Sequence, residues 1–163
     1  LQLEEQLKYD PLTKLYNMST FYALLAAAIE KEEFPLSLAV IDVDNFKKVN
    51  DTYGHDNGNT VLIYLAQLLQ AHCSAMGLVF RYGGEEFAVM FPHKSTEEAS
   101  LVMKDVQRIF GEHKFEFMQE ENITFSCGIT TTIRGCIPRN LFNIADQAMY
   151  QAKSAGKNRT IAL

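Results

Sequence analysis

The 163 residues are 47% apolar and 21% charged, a composition that suits one soluble domain with a sizeable core. A net charge of -5 and a pI near 5.4 exclude a surface built to neutralise a nucleic-acid polymer or anionic lipid, though a few local Lys and Arg could hold a small phosphorylated ligand. Cys73, Cys127 and Cys136 are odd in number and lack C-x-x-C spacing, which points away from a disulfide framework or structural zinc site and towards a reducing, cytoplasmic setting.

Leu1, Leu3 and Leu7 recur at helical spacing with no helix-start signal before them, so residues 1 to 9 are expected to be the end of a longer signalling or linker helix. Such a helix would enter a single domain at 10 to 163. No apolar run reaches the roughly 18 residues needed to span a bilayer, so any membrane anchor of a full-length protein would lie outside this segment. Residues 18 to 32 have helix-forming composition, with Ser19 or Thr20 as N-cap. Residues 36 to 43, LSLAVIDV, form an apolar run ending in acids, the pattern of a buried strand. KKVNDTYGHDNGN is dense in Asn, Asp and Gly and reads as mainly loop, and helix resumes over 60 to 75.

LVFRY and FAVMF, separated by GGEE, carry a hairpin signature over 78 to 91. A helix opened by Ser95 or Thr96 covers 95 to 110, strands follow near 114 to 118 and 123 to 133, and Pro138 starts a helix ended by Gly156. RTIAL closes the chain as a strand. The elements predict an α/β sandwich with a mixed, largely antiparallel sheet flanked by helices, without the regular alternation of a doubly wound fold.

The period of an extended strand puts Asp42 and Asp44 on one face, with Val43 turned away. If the hairpin lies beside that strand, Glu85 and Glu86 join them. Like charges gathered in this way call for a hard cation such as Mg²⁺ or Mn²⁺; the same pattern also suits acids that are simply solvated on a turn. A calcium-binding loop is excluded because Phe46 and Lys47 stand where an oxygen ligand and a glycine belong. A Walker-type phosphate loop is excluded too, since Asn158 follows Gly156-Lys157 and the required upstream glycine is missing.

Four segments in order, DPLTKLYN at 10 to 17, IDVDNFKKVNDTYGHDNGN at 41 to 59, RYGGEEF at 81 to 87 and ADQAMYQAKSAGKN at 145 to 158, resemble the GGDEF family of diguanylate cyclases, here with GGEEF. The resemblance implies a fold similar to the polymerase palm and the class III nucleotidyl cyclases. It also implies condensation of two GTP into cyclic di-GMP by a homodimer controlled by an upstream sensor or receiver. On this resemblance Asp42, the Val43 carbonyl and Glu85 would hold Mg²⁺ (or Mn²⁺), Glu86 would assist a second ion, and Glu85 or Glu86 would accept the proton of the attacking hydroxyl. Gly83 and Gly84 would clear space for the nucleotide.

Lys153 and Lys157 match the family's phosphate-binding positions, with Lys47 and Arg81 as further candidates; the two former could also be surface lysines on a helix end. The base pocket maps onto Asn50, His55 and Asn59, although His55 could instead brace the loop, and Phe46 beside the strand could face the ligand. The family usually carries Asp where this chain has Asn59. An amide offers one acceptor and one donor group, which weakens the match to guanine and opens the alternative of ATP use and GMP-AMP or adenine-containing products. A non-catalytic nucleotide-binding module is the other alternative. Ser74-Ala75-Met76-Gly77 replaces the family's R-x-x-D product-inhibition motif, and Met18 replaces an Arg that would pair with Asp10.

Overall fold

The computed structural model describes residues 7–163. Most of the expected entering helix, residues 1 to 6, lies outside them; residues 7 to 9 are not helical, and Tyr9 instead bridges to Tyr16. In chain order the elements are α1 (Met18–Glu30), β1 (Leu36–Val43), α2 (Phe46–Tyr53), α3 (His55–Cys73), β2 (Leu78–Arg81), β3 (Glu86–Pro92), α4 (Thr96–Glu112), β4 (Phe125–Thr132), α5 (Pro138–Ser154) and β5 (Thr160–Ala162). The sheet order is β2-β3-β1-β4-β5, with only the β4/β5 pair parallel. This is the mixed, largely antiparallel sandwich that the sequence predicts. No helix among the described residues is long and apolar enough to cross a membrane.

β1 is apolar apart from Ser37 and Asp42 because both of its faces are covered. Ala39, Ile41 and Val43 enter one core with the apolar faces of α3 and α4, while Leu36, Leu38 and Val40 enter a second with α1 and α5. Each large apolar side chain so buried contributes roughly 1.5–3 kcal/mol. Asp42 continues the even-numbered face beyond Val40, so the strand delivers its carboxylate to the side that α5 covers.

The expected loop at 47 to 59 is instead two helices, and α3 begins at His55. Phe46 and Val49 lie one turn apart and are buried, and Val61, Leu62, Leu65 and Leu69 continue an apolar stripe that overrides the turn-forming composition. Gly54, at φ 90°, breaks the chain between them, and the Asn57 amide donates to the Tyr53 carbonyl at 2.8 Å. The strand expected near 114 to 118 reduces to one bridge, Phe115 to Met118, because Phe115 and Phe117 pack as aromatics against Tyr64 and Tyr53. α1 is capped by Asn17 rather than Ser19 or Thr20, whereas Ser95 and Glu98 form a capping box on α4.

The placement of α5 depends on Gly128 in β4. A Cβ there would stand 2.1 Å from the Met149 nitrogen and 2.2 Å from the Ala145 carbonyl oxygen, so helix backbone rests directly on strand backbone. That contact brings Asp146 and Lys153 over the end of β1.

Candidate active site

Asp42, Glu85 and Glu86 lie at one end of the β1/β3 ladder, and the acids there are treated unequally. Asp42 and Glu86 are direct cross-strand partners in the β1/β3 ladder, and the Glu85 carbonyl accepts from the Val43 N–H at 3.2 Å, which ties the hairpin tip to the strand end. Like charges facing each other across a ladder are unfavourable. Burial and the neighbouring Asp42 push the Glu85 carboxyl above the usual carboxylate range, and burial with Asp42, Asp146 and Glu85 does the same to Glu86. Asp42 itself is raised by burial, which outweighs its bond to Lys153. Asp146, on α5, is raised by burial and by Asp42, and sequence reasoning did not single it out; its signal was its place seven residues before Lys153 on the same helix face.

Gly83 stands where a Cβ would meet the Glu86 carboxylate at 2.9 Å, while a Cβ at Gly84 would meet open space. The glycine at 83 thus first serves the acid three residues on. Asp44 is 3% exposed and accepts from the Thr124 and Ser126 hydroxyls, both at 2.7 Å, and from the Asn158 N–H at 3.0 Å. Burial alone would raise its pKa, but these bonds and Lys153 hold it below the usual range.

Lys153 is bonded to the acids themselves. Its ammonium donates to Asp42 Oδ1 at 2.8 Å and to the Val43 carbonyl at 3.3 Å, and pairs with Asp44 at 3.1 Å. Burial opposes its charge, yet the two aspartates outweigh it and raise the ammonium's pKa. Lys157 donates to the Asn45 side chain at 2.6 Å. Lys47 is exposed on the first turn of α2.

The Arg81 guanidinium donates to Asp10 and to the Gly83 and Gly84 carbonyls. Asp10 therefore has a partner without the Arg missing at position 18. Phe46 is 8% exposed and belongs to the core shared with Val43 and Val49, with the tip of its ring against Gly58 beside Asn50. Asn50 is half-buried, and its Oδ1 is sealed from solvent with no hydrogen-bond partner among the described residues. It faces Gly58, where a Cβ would come within 1.8 Å of that oxygen. His55 and Asn59 are both exposed on the first turns of α3.

The family description "Diguanylate cyclase, GGDEF domain" matches residues 7–159. The chain belongs to the GGDEF family of diguanylate cyclases. It is 36% identical over 167 residues to a diguanylate cyclase of Vibrio cholerae serotype O1, an alignment covering 98% of this chain and 52% of the relative. It is 34% identical over 159 residues to the response regulator PleD of Caulobacter vibrioides, covering 93% of this chain and 35% of PleD. The chain thus spans about half, or less, of these relatives' lengths. Among solved structures it superposes on the coiled coil and GGDEF domain of Caulobacter crescentus DgcB in complex with c-di-GMP at a TM-score of 0.92, with 30% identity, covering 99% of this chain and 88% of that one. The active GGEEF domain of a Vibrio cholerae diguanylate cyclase gives 0.83 at 34% identity, covering 90% and 96%.

GGDEF cyclases are typically metal-dependent. Among the described residues of this GGDEF domain, no three acidic, His or Cys side chains are gathered closely enough to close around an ion as they stand. The donor set nevertheless fits a hard divalent cation. Asp42 Oδ1 and the Val43 carbonyl already share one cationic group, the Lys153 ammonium, and the acids beside them carry the raised pKa of carboxylates short of counter-charge.

Proposed function

We propose that this domain condenses two GTP into cyclic di-GMP with release of two pyrophosphates, using the GGEEF form of its hairpin motif. The observation that carries this reading is the crowding of Asp42, Glu85 and Glu86 at one strand end with Lys153 as the cation bonded there. In each half-reaction the 3′-oxygen bonds to the α-phosphorus, the bond to the β-phosphate bridge breaks, and pyrophosphate leaves. Mg²⁺ or Mn²⁺, two per site, held by Asp42, the Val43 carbonyl, Glu85 and Glu86, would supply charge neutralisation of the leaving group and a more acidic hydroxyl.

The chain's own residues carry the remaining tasks. A glutamate with a raised pKa is a better proton acceptor than an ordinary one, which suits Glu85 or Glu86 to receive the hydroxyl proton. Lys153 and Lys157 bring positive charge to a triphosphate. Half-buried Asn50, beside Gly58, would meet the base with its side-chain amide, with His55 and Asn59 exposed on the neighbouring helix. Each domain presents one nucleotide, so the reaction needs a homodimer. The name response regulator for PleD and the coiled coil of DgcB support an upstream input acting through residues 1 to 9 on a domain at 10 to 163, in the cytoplasm.

The test is product analysis by chromatography and mass spectrometry, with purified protein held as a dimer and supplied with GTP and Mg²⁺. Cyclic di-GMP is expected, and its absence would leave the non-catalytic nucleotide-binding reading. Asn59 supports a second reading, relaxed base choice, because its exposed amide can pair with adenine as well as guanine. A GTP and ATP mixture that yields cyclic di-GMP alone sinks it.

A further inference from the structure

Arg81 joins two places that are far apart in the chain. Its NH1 donates to both oxygens of Asp10, each at 3.1 Å. Its Nε donates to the Gly83 and Gly84 carbonyls at 3.1 and 3.2 Å, and NH2 to the Gly84 carbonyl at 2.7 Å. Its backbone N–H donates to the Tyr16 carbonyl at 2.9 Å. The planar guanidinium thus grips the turn on one edge and the entering segment on another, a geometry an ammonium cannot reproduce.

Both ends of this link are themselves fixed. Asp10 also accepts from the Thr13 N–H at 2.8 Å and hydroxyl at 2.7 Å, and its N–H donates to the Leu15 carbonyl at 2.7 Å, so the 10–16 loop moves with it. On the hairpin the Tyr82 and Gly83 N–H groups donate to the Glu86 carbonyl at 2.8 and 3.2 Å. The strands hold the far side of the turn and Arg81 holds the near side. The two carbonyls it holds immediately precede Glu85 and Glu86. The ion pair is largely sheltered, with side chains 16% and 17% exposed.

We propose that Arg81 is a positioning residue that fixes the Gly83-Gly84 turn, and with it the Glu85 and Glu86 carboxylates, according to where Asp10 lies. A movement of the segment ahead of Asp10 is then transmitted to the acids through one side chain. The activity part of this inference rests on the cyclase reading; the mechanical part does not. Displacing a reacting group by about 1 Å costs roughly 10²-fold in rate, so even a small shift of the turn registers.

The experiment compares wild type, Arg81→Lys, Asp10→Asn and the double variant, each held as a dimer. Cyclic di-GMP synthesis and backbone amide exchange over 82 to 87 are measured, with β4 amides as the check on folding. Both single variants are expected to lose about 10- to 100-fold in kcat with KM for GTP changed less than about twofold. The double variant should be no worse than the worse single, because the two act as one unit. Turn amides should exchange faster in both, with β4 unchanged. A raised KM in Arg81→Lys with Asp10→Asn indifferent would make Arg81 a nucleotide contact and overturn the proposal. Turn exchange in Asp10→Asn equal to wild type would overturn it as well. Should Arg81→Lys lose its β4 protection, Asp10→Asn alone decides. If wild type makes no product, the cyclase reading fails while amide exchange still judges the link.

Discussion

Asp42 and Asp44 both reach the Lys153 ammonium and stand two residues apart, yet they inhabit opposite electrostatic worlds. Asp44 is closed in by the hydroxyls of Thr124, just before β4, and Ser126, within it, and by a backbone N–H of the α5–β5 connection, and its pKa is depressed. Asp42 has Lys153 alone, faces Glu86 across the ladder, and is raised along with Glu85, Glu86 and Asp146. The difference lies in who supplies partners, not in residue type or strand position. A fully partnered acid holds the structure together. The acids around Asp42 lack such partners, and burial together with their mutual repulsion disfavours their ionised forms in the fold.

The contrast can be tested from both sides. The largest effect is expected from Glu85→Gln: turnover to cyclic di-GMP should fall by about 10²-fold or more, as for loss of a proton acceptor, while circular dichroism stays unchanged. Full activity in that variant would move Glu85 into the structural class with Asp44. Next, Asp44→Ala should cost about 3 kcal/mol in urea unfolding, since it leaves Lys153 and two hydroxyls without their common acceptor. Ser126→Ala removes one of those bonds and should cost about 1.5 kcal/mol, a fall in Tm of roughly 3–6 °C.

The smallest effect has the opposite sign. Glu86→Gln relieves like charge and should raise stability at pH 7 by about 0.5 kcal/mol, even though it impairs catalysis. Because the Glu86 pKa is raised by folding, its ionised form opposes the folded state above that raised value, and the penalty fades as pH falls towards the ordinary glutamate range. The Tm advantage of Glu86→Gln should therefore shrink with acidification. Asp44 runs the other way, its contribution being lost as pH falls below the ordinary aspartate range. A Glu86→Gln advantage independent of pH would break the contrast.

Much of this was legible in the chain. The strand over 36 to 43 and the hairpin signature at GGEE follow from local backbone geometry, whereas the pairing that sets Glu86 opposite Asp42 joins segments distant in the chain. The fate of Asp44 was not legible, because its hydroxyl partners Thr124 and Ser126 arrive some eighty positions later and nothing local marks them. The pairing of Arg81 with Asp10 is hidden for a related reason: only the fold brings the two beside each other. The turn-forming composition of 47 to 59 does not set its conformation: Asp51, Asp56 and Asn59 are exposed on α2 and α3, while Phe46, Val49 and Val61 hold the two helices from within. Asn50 was found by its likeness to a family position, but its missing partner became visible only when α2 folded against Gly58.

The contact at Gly128 has a consequence for how the domain tolerates change. Because main chain rests on main chain there, the approach of α5 to β4 is set by backbone contact rather than by side chains packed between them. The sheet and helix meet at a hard stop, one that leaves no room for a side chain in place of Gly128.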